Sequence, residues 1–95
     1  MIEYADNQAG SPVFADPRGD PVSGVPNRIP YGTRVAVSCV APNETGAMKT
    51  VHGFYLIASG RWRGDYVVAD TMTNGGQLGA TDTPNIDPGV RRCTS

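Results

Sequence analysis

Apolar and polar residues alternate most regularly in the middle of the chain, directly after a Tyr31-Gly32-Thr33 turn. Val35, Val37 and Cys39 fall on one face of this segment, and the residues between them are polar or small. A period of two is typical of an antiparallel strand with one buried face. The pattern therefore predicts a central strand that ends at a cysteine.

Two further apolar runs predict strands that pair next to it. Residues 54–58 and 66–69 are rich in aromatic and β-branched side chains, and the glycine-bounded connector 59–64 separates them. Such a short connector is typical of consecutive antiparallel strands. A shorter extended segment is predicted at residues 13–15.

The other segments carry turn and loop residues. Their composition predicts a tight turn at Asp16–Pro21, a long loop through Val25–Asn27, a hairpin loop at 41–46, and a single 3-10 turn within 70–76. From Gln77 onward the tail is expected to be irregular, held by Leu78, Ile86, Val90 and a disulfide.

Residues 1–11 show no stable period and are expected to form a flexible leader or an interdomain linker. Residues 12–95 are expected to form one β domain.

The two cysteines, Cys39 and Cys93, lie 54 positions apart. This spacing suits a disulfide and not zinc, because zinc ligands usually come in closely spaced pairs. A disulfide closing this loop would stabilise the fold by roughly 4 kcal/mol in the chain-entropy model. The alternative is two reduced, buried thiols in a cytosolic protein.

Composition limits the function classes. The chain has 95 residues, 12 of them glycine and 8 proline, and a formal net charge of −1, which suits a single domain of short strands and many turns. This charge gives no general attraction for nucleic acid or anionic lipid. We expect no membrane insertion and find no signal-peptide pattern, so the chain is either a mature or excised fragment or cytosolic.

The order of these elements resembles a bacterial SH3-like (SH3b) domain over roughly residues 12–93. More narrowly, Phe54-Tyr55-Leu56-Ile57 with Gly60-Arg61-Trp62, the stretch 69–75, and Asp87-Pro88-Gly89-Val90 before Cys93 resemble disulfide-bearing SH3-like modules of secreted actinobacterial proteins.

The resemblance implies a small five-stranded antiparallel barrel in an extracytoplasmic protein of the cell envelope. Such modules bind cell-wall peptide or glycan, or dock a protein partner or neighbouring domain. The eukaryotic peptide-binding form has adjacent tryptophans where this chain has Phe54-Tyr55, so recognition of proline-rich peptides is not expected.

Four residues are candidate ligand contacts: Trp62, Arg61, Tyr31 and Tyr55. Trp62 lies between two arginines in the glycine-bounded connector, and exposed tryptophan and arginine commonly anchor ligands. The tyrosines suit sugar or peptide recognition because their rings are amphipathic. The alternatives are a tryptophan lid over one end of the barrel and tyrosines half-buried in strands.

Catalysis is not expected. His52 is the single histidine, and no partner for it can be placed from the sequence. Asp82, Asn85 and Asp87 lack the spacing of a helix-loop-helix calcium site. We expect no cofactor and no metal.

The sequence thus predicts a secreted, monomeric, non-catalytic binding module. One alternative is a structural docking or spacer domain of a larger envelope protein. The other is a small secreted inhibitor that presents the Asp16–Pro21 loop to its target.

Overall fold

The computed structural model describes residues 1–17, 19–42, 53–73 and 89–93. Within these ranges the chain forms one antiparallel sheet of seven strands in the order β3-β2-β6-β5-β4-β1-β7. The strands are β1 (Ile2–Ala5), β2 (Ser11–Phe14), β3 (Arg28–Ile29), β4 (Arg34–Pro42), β5 (Gly53–Ile57), β6 (Tyr66–Val68) and β7 (Met72–Thr73).

The predicted all-β, antiparallel class is confirmed. The described sheet, however, has seven strands where five were expected, and it is not closed into a barrel. The hydroxyl of Ser11 on β2 donates a 3.0 Å hydrogen bond to the carbonyl of Thr71, just before β7. Asp6 N donates to the same carbonyl at 2.8 Å. The Ser11 bond connects β2 to the segment before β7, although β2 and β7 are not neighbours in the sheet.

The three predicted central strands are present as β4, β5 and β6. One detail of the alternation differs, because a register shift lies between Val37 and Cys39 on β4. Beyond the shift Val40, and not Cys39, joins the hydrophobic core with Val35 and Val37. The bulge therefore turns Cys39 away from the row of core residues that the alternation predicted.

A row of apolar side chains crosses four strands and forms the centre of the core. Val40 pairs with Tyr55, Tyr55 pairs with Val67, and Val67 pairs with Val13. All four are buried members of the core cluster. The same register leaves Phe14 and Phe54 on the other face, where their rings meet edge to face at 6.0 Å.

The first residues of the chain differ most from the sequence expectation, which was a flexible leader over 1–11. Residues 2–5 form β1, which pairs with both β4 and β7. Ala5 is fully buried, and its amide donates to Thr33 O at 2.9 Å. The alternation of β1 is only four residues long and includes a buried glutamate, Glu3, so hydrophobic periodicity does not reveal it.

Two other short elements also differ from prediction. The long loop after Asp20 contains β3, and Met72, placed by the sequence in a turn, begins β7. The 3-10 turn is present at Ala69–Thr71, at the start of the predicted range. Strands of two residues carry too few side chains to show a period.

The disulfide between Cys39 and Cys93 is confirmed. Val40 N donates to Arg91 O and Cys93 N donates to Val40 O, both at 2.8 Å, so residues 91–93 run parallel to β4 at Val40. Val90 is buried in the core, as predicted. The predicted 41–46 hairpin loop, apart from its first two residues, and the tail residues Leu78 and Ile86 lie outside the described residues.

Candidate functional site

Trp62 occupies the turn between β5 and β6, and its indole is buried at 8% exposure. Its Nε1 donates a 2.9 Å hydrogen bond to the carbonyl of Pro26 in the loop before β3. Val25 of that loop packs against the same core. This arrangement corresponds to the tryptophan lid that the sequence offered as an alternative, and it fixes the β5–β6 turn to the neighbouring loop.

Tyr55 is also inside the protein, at 0% exposure in the centre of the core row. A binding module that contacts its ligand through aromatic rings would need Trp62 to be exposed beside a tyrosine in a shared concave surface. The structure does not bring these two rings together on the surface. Two of the four candidate ligand contacts therefore have packing roles here.

Tyr31, in contrast, is 40% exposed. It lies in the turn that leads into β4, where Thr33 N donates to Pro30 O at 3.1 Å and Gly32 N donates to Ala5 O at 2.7 Å. Gly32 adopts a φ of 82°, which an L side chain rarely tolerates. These bonds hold the turn against β1 while the Tyr31 ring reaches solvent.

Arg61 is exposed, and its guanidinium lies over the Trp62 ring at 5.3 Å from the centroid. Arg63, on the other side of Trp62, is also exposed. The glycines that bound the turn, Gly60 and Gly64, have φ values of 84° and 87°. One buried indole thus anchors a turn that presents two cationic side chains to water.

A third arginine belongs to the same end of the sheet. Arg34 begins β4 and is exposed. Because β4 and β5 run antiparallel with Val37 opposite Ile57, the start of β4 lies beside the turn that follows β5. Ala58 N donates to Ala36 O at 2.8 Å across this junction. We call Arg34, Arg61 and Arg63 the arginine end.

Of these three residues, the sequence predicted a ligand contact at Arg61 alone. Arg34 was visible as the polar position that opens the alternating strand, and Arg63 as the mirror of Arg61 around Trp62. What the sequence does not show is the pairing of β4 with β5 that places a strand start beside a turn.

Acidic and basic side chains differ in exposure. Among the residues that the structure describes, Asp20 is the one exposed acidic residue, whereas six arginines are exposed. Glu3 and Asp6 are buried. The exposed arginines are Arg28, Arg34, Arg61, Arg63, Arg91 and Arg92. The described surface is therefore richer in positive charge than the net charge of −1 suggests.

Three acidic residues lie near the arginine end. Asp65 closes the β5–β6 turn and is half-buried, and desolvation raises the pKa of its carboxyl above the ordinary 3.8. Asp16 Oδ1 accepts a 3.4 Å hydrogen bond from Asp20 N within the loop after β2. Asp20 itself is exposed.

The Asp16–Pro21 loop is a tight turn, as the sequence predicts. Ala15 N donates to Asp20 O at 2.7 Å, and Phe14 bridges to Pro21 across its base. Arg18 lies outside the described residues.

Within the part of the chain that the structure describes, no group of three or more histidine, cysteine, aspartate or glutamate side chains is placed to hold a metal ion. His52, Asp82, Asn85 and Asp87 lie outside that part. None of the described helical segments is long and apolar enough to cross a bilayer.

Comparison of the chain with protein-family models, with curated proteins and with solved structures gave no match.

Proposed function

We propose that this chain is a non-catalytic binding module of the SH3b type that works outside the cytoplasm and contacts a cell-wall ligand through exposed turns. The observation that supports this most is the β5–β6 turn. Trp62 fixes it to the core and to Pro26, while Arg61 and Arg63 remain exposed on either side. A contact surface built on a rigid turn loses little conformational entropy when it binds.

The disulfide supports the extracytoplasmic location, because such bonds persist in oxidising compartments. For the SH3-like architecture, the support is a small antiparallel sheet with a 3-10 turn between β6 and β7. In this proposal the ligand contacts are Arg61 and Tyr31, joined by Arg34 and Arg63, while Trp62 and Tyr55 hold the fold.

A docking or spacer domain of an envelope protein is the second candidate. The observation that favours it is the burial of Trp62 and Tyr55, since a glycan-binding site usually offers an exposed ring for stacking. In that case the arginine end would face a neighbouring domain and not a wall polymer.

Co-sedimentation of the oxidised domain with purified Gram-positive sacculi tests the proposal. Arg61→Gln/Arg63→Gln neutralises the turn, and Arg91→Gln/Arg92→Gln makes the same change of charge beside Val40, farther along β4. We expect the wild type and the second variant to pellet with the wall and the first variant to remain in solution. Failure of the wild type to pellet would favour the docking domain.

A further inference from the structure

The inference developed here rests on the proposed function and names the chemistry of the ligand. The three guanidinium groups of the arginine end determine which hydrogen bonds a ligand can form there. Guanidinium groups donate five N–H bonds and accept none, and they bind phosphate oxygens in pairs through a rigid fork. All three side chains are exposed, and the guanidinium of Arg61 also lies over the Trp62 ring. Such a surface complements a ligand that is negatively charged and only accepts hydrogen bonds.

Of the three acidic residues near the arginine end, Asp20 is exposed and the other two are half-buried. Asp65 is half-buried, and its raised pKa reflects the loss of hydration on burial. Asp16 accepts a hydrogen bond from its own loop. The three guanidinium groups project from a strand start and an anchored turn.

The positions of the three arginines limit the kind of ligand that can contact all of them. Arg34 opens a strand, and the other two arginines lie on either side of the buried Trp62 in the adjoining turn. A small anion needs a concave site that surrounds it. Arginines spread over two adjoining elements fit a chain that carries one anionic group per repeat.

We propose that the arginine end binds a linear phosphodiester polymer of the cell envelope, with a polyol-phosphate backbone. A peptide carries backbone N–H donors that guanidinium groups cannot satisfy, and a neutral glycan offers no charge. A phosphodiester chain is anionic and mainly accepts hydrogen bonds. Nucleic acid has the same phosphate chemistry, but the disulfide favours an oxidising compartment outside the cytoplasm, where the proposed function also places the protein.

Binding through three charges has a characteristic salt dependence. Each phosphate that is neutralised releases counterions, and for flexible chains log K falls with log salt at about 0.7 per charge. Three contacts thus lower the affinity about 20-fold between about 50 and 200 mM salt, and one contact lowers it about 3-fold.

The test titrates the oxidised domain with poly(glycerol phosphate) at several salt concentrations. We expect the affinity of the wild type and of Arg91→Gln/Arg92→Gln to fall about 20-fold between about 50 and 200 mM salt. The affinity of Arg61→Gln/Arg63→Gln should fall about 3-fold over the same range. The control pair adjoins Val40, so it lies six residues along β4 from Arg34, roughly 20 Å at the rise of a strand. Equal losses in both variants would overturn the assignment, because they would reflect net charge alone.

Further binding measurements with other polymers identify the ligand. Tighter binding of single-stranded DNA than of poly(glycerol phosphate) would overturn the proposal in favour of nucleic acid, and equal binding of polyglutamate would overturn the preference for phosphate. Sacculi stripped of phosphodiesters with hydrogen fluoride separate this inference from the proposed function. If the domain binds stripped sacculi as well as intact ones, the function stands and the inference fails, whereas binding to neither contradicts both.

Discussion

At the scale of single residues, the structure separates Trp62 from the exposed groups around it. A tryptophan flanked by arginines looks like a ligand anchor in the sequence. The hydrogen bond from Nε1 to Pro26 O and the burial of the ring give it a packing role. The arginines on either side of it are exposed.

Replacing Trp62 with phenylalanine should therefore lower stability. The variant loses the bond to Pro26 O and part of a buried ring, and we expect the free energy of unfolding to fall by about 1–3 kcal/mol. Urea denaturation followed by far-UV circular dichroism measures this. Tyr31→Phe, which alters an exposed ring, should change stability by less than about 0.5 kcal/mol. Unchanged stability of Trp62→Phe together with lost wall binding would instead support an exposed anchor.

At the scale of elements, β1 is the part of the fold that the sequence hid. Its side chains alternate in burial, but Glu3 occupies one of the inward positions. A buried glutamate breaks the apolar period on which strand prediction depends. β1 pairs with β4 and β7, which are distant in the sequence, so the residues around position 5 carry no local pattern that predicts this pairing.

Ala5→Asp tests whether β1 is integral. Burying a carboxylate at a fully buried position should destabilise the fold by more than about 2 kcal/mol. Ala9→Asp makes the same change at an exposed position of the same segment and should have little effect. Thermal unfolding of the two variants measures the difference. Equal melting temperatures of the two variants would instead indicate that residues 1–11 form a flexible leader.

The disulfide holds another element that has little regular structure of its own. Residues 91–93 contact β4 through Val40, and Val90 fills part of the core. We expect Cys39→Ala/Cys93→Ala to lose roughly 4 kcal/mol of stability. Native-state hydrogen exchange should accelerate more at the Val40 amide, which bonds Arg91 O, than at the Val37 amide, which bonds Met1 O. Equal acceleration would show that the C-terminal segment stays in place without the disulfide.

These elements also show how far sequence reasoning reaches. The alternation at Val35 and Val37 and the glycine-bounded connector predicted β4, β5 and β6, and the cysteine spacing predicted the disulfide. The bulge after Val37 was not predictable, because it is a property of how two strands pair. For the candidate site, the sequence supplied Arg61 and Tyr31 but could not place the start of β4, with Arg34, beside the β5–β6 turn.

At the scale of the whole molecule, the exposure of the charged side chains determines the surface charge more than the formal net charge does. A formal charge of −1 gave no reason to expect an anionic ligand. The sheet buries or half-buries most of its described acidic residues and leaves six arginines exposed. A long-range field depends on which charges face water, so a nearly neutral domain can present a cationic end.

The measurement that tests this account most directly is a backbone amide NMR titration of the oxidised domain with soluble cell-wall fragments that retain their phosphodiester polymers. The account predicts that the largest chemical-shift changes fall at residues 60–64 and 31–34, with little change at Arg91 and Arg92. Changes concentrated in the Asp16–Pro21 loop, changes confined to residues 91–93, or no changes at all would contradict it.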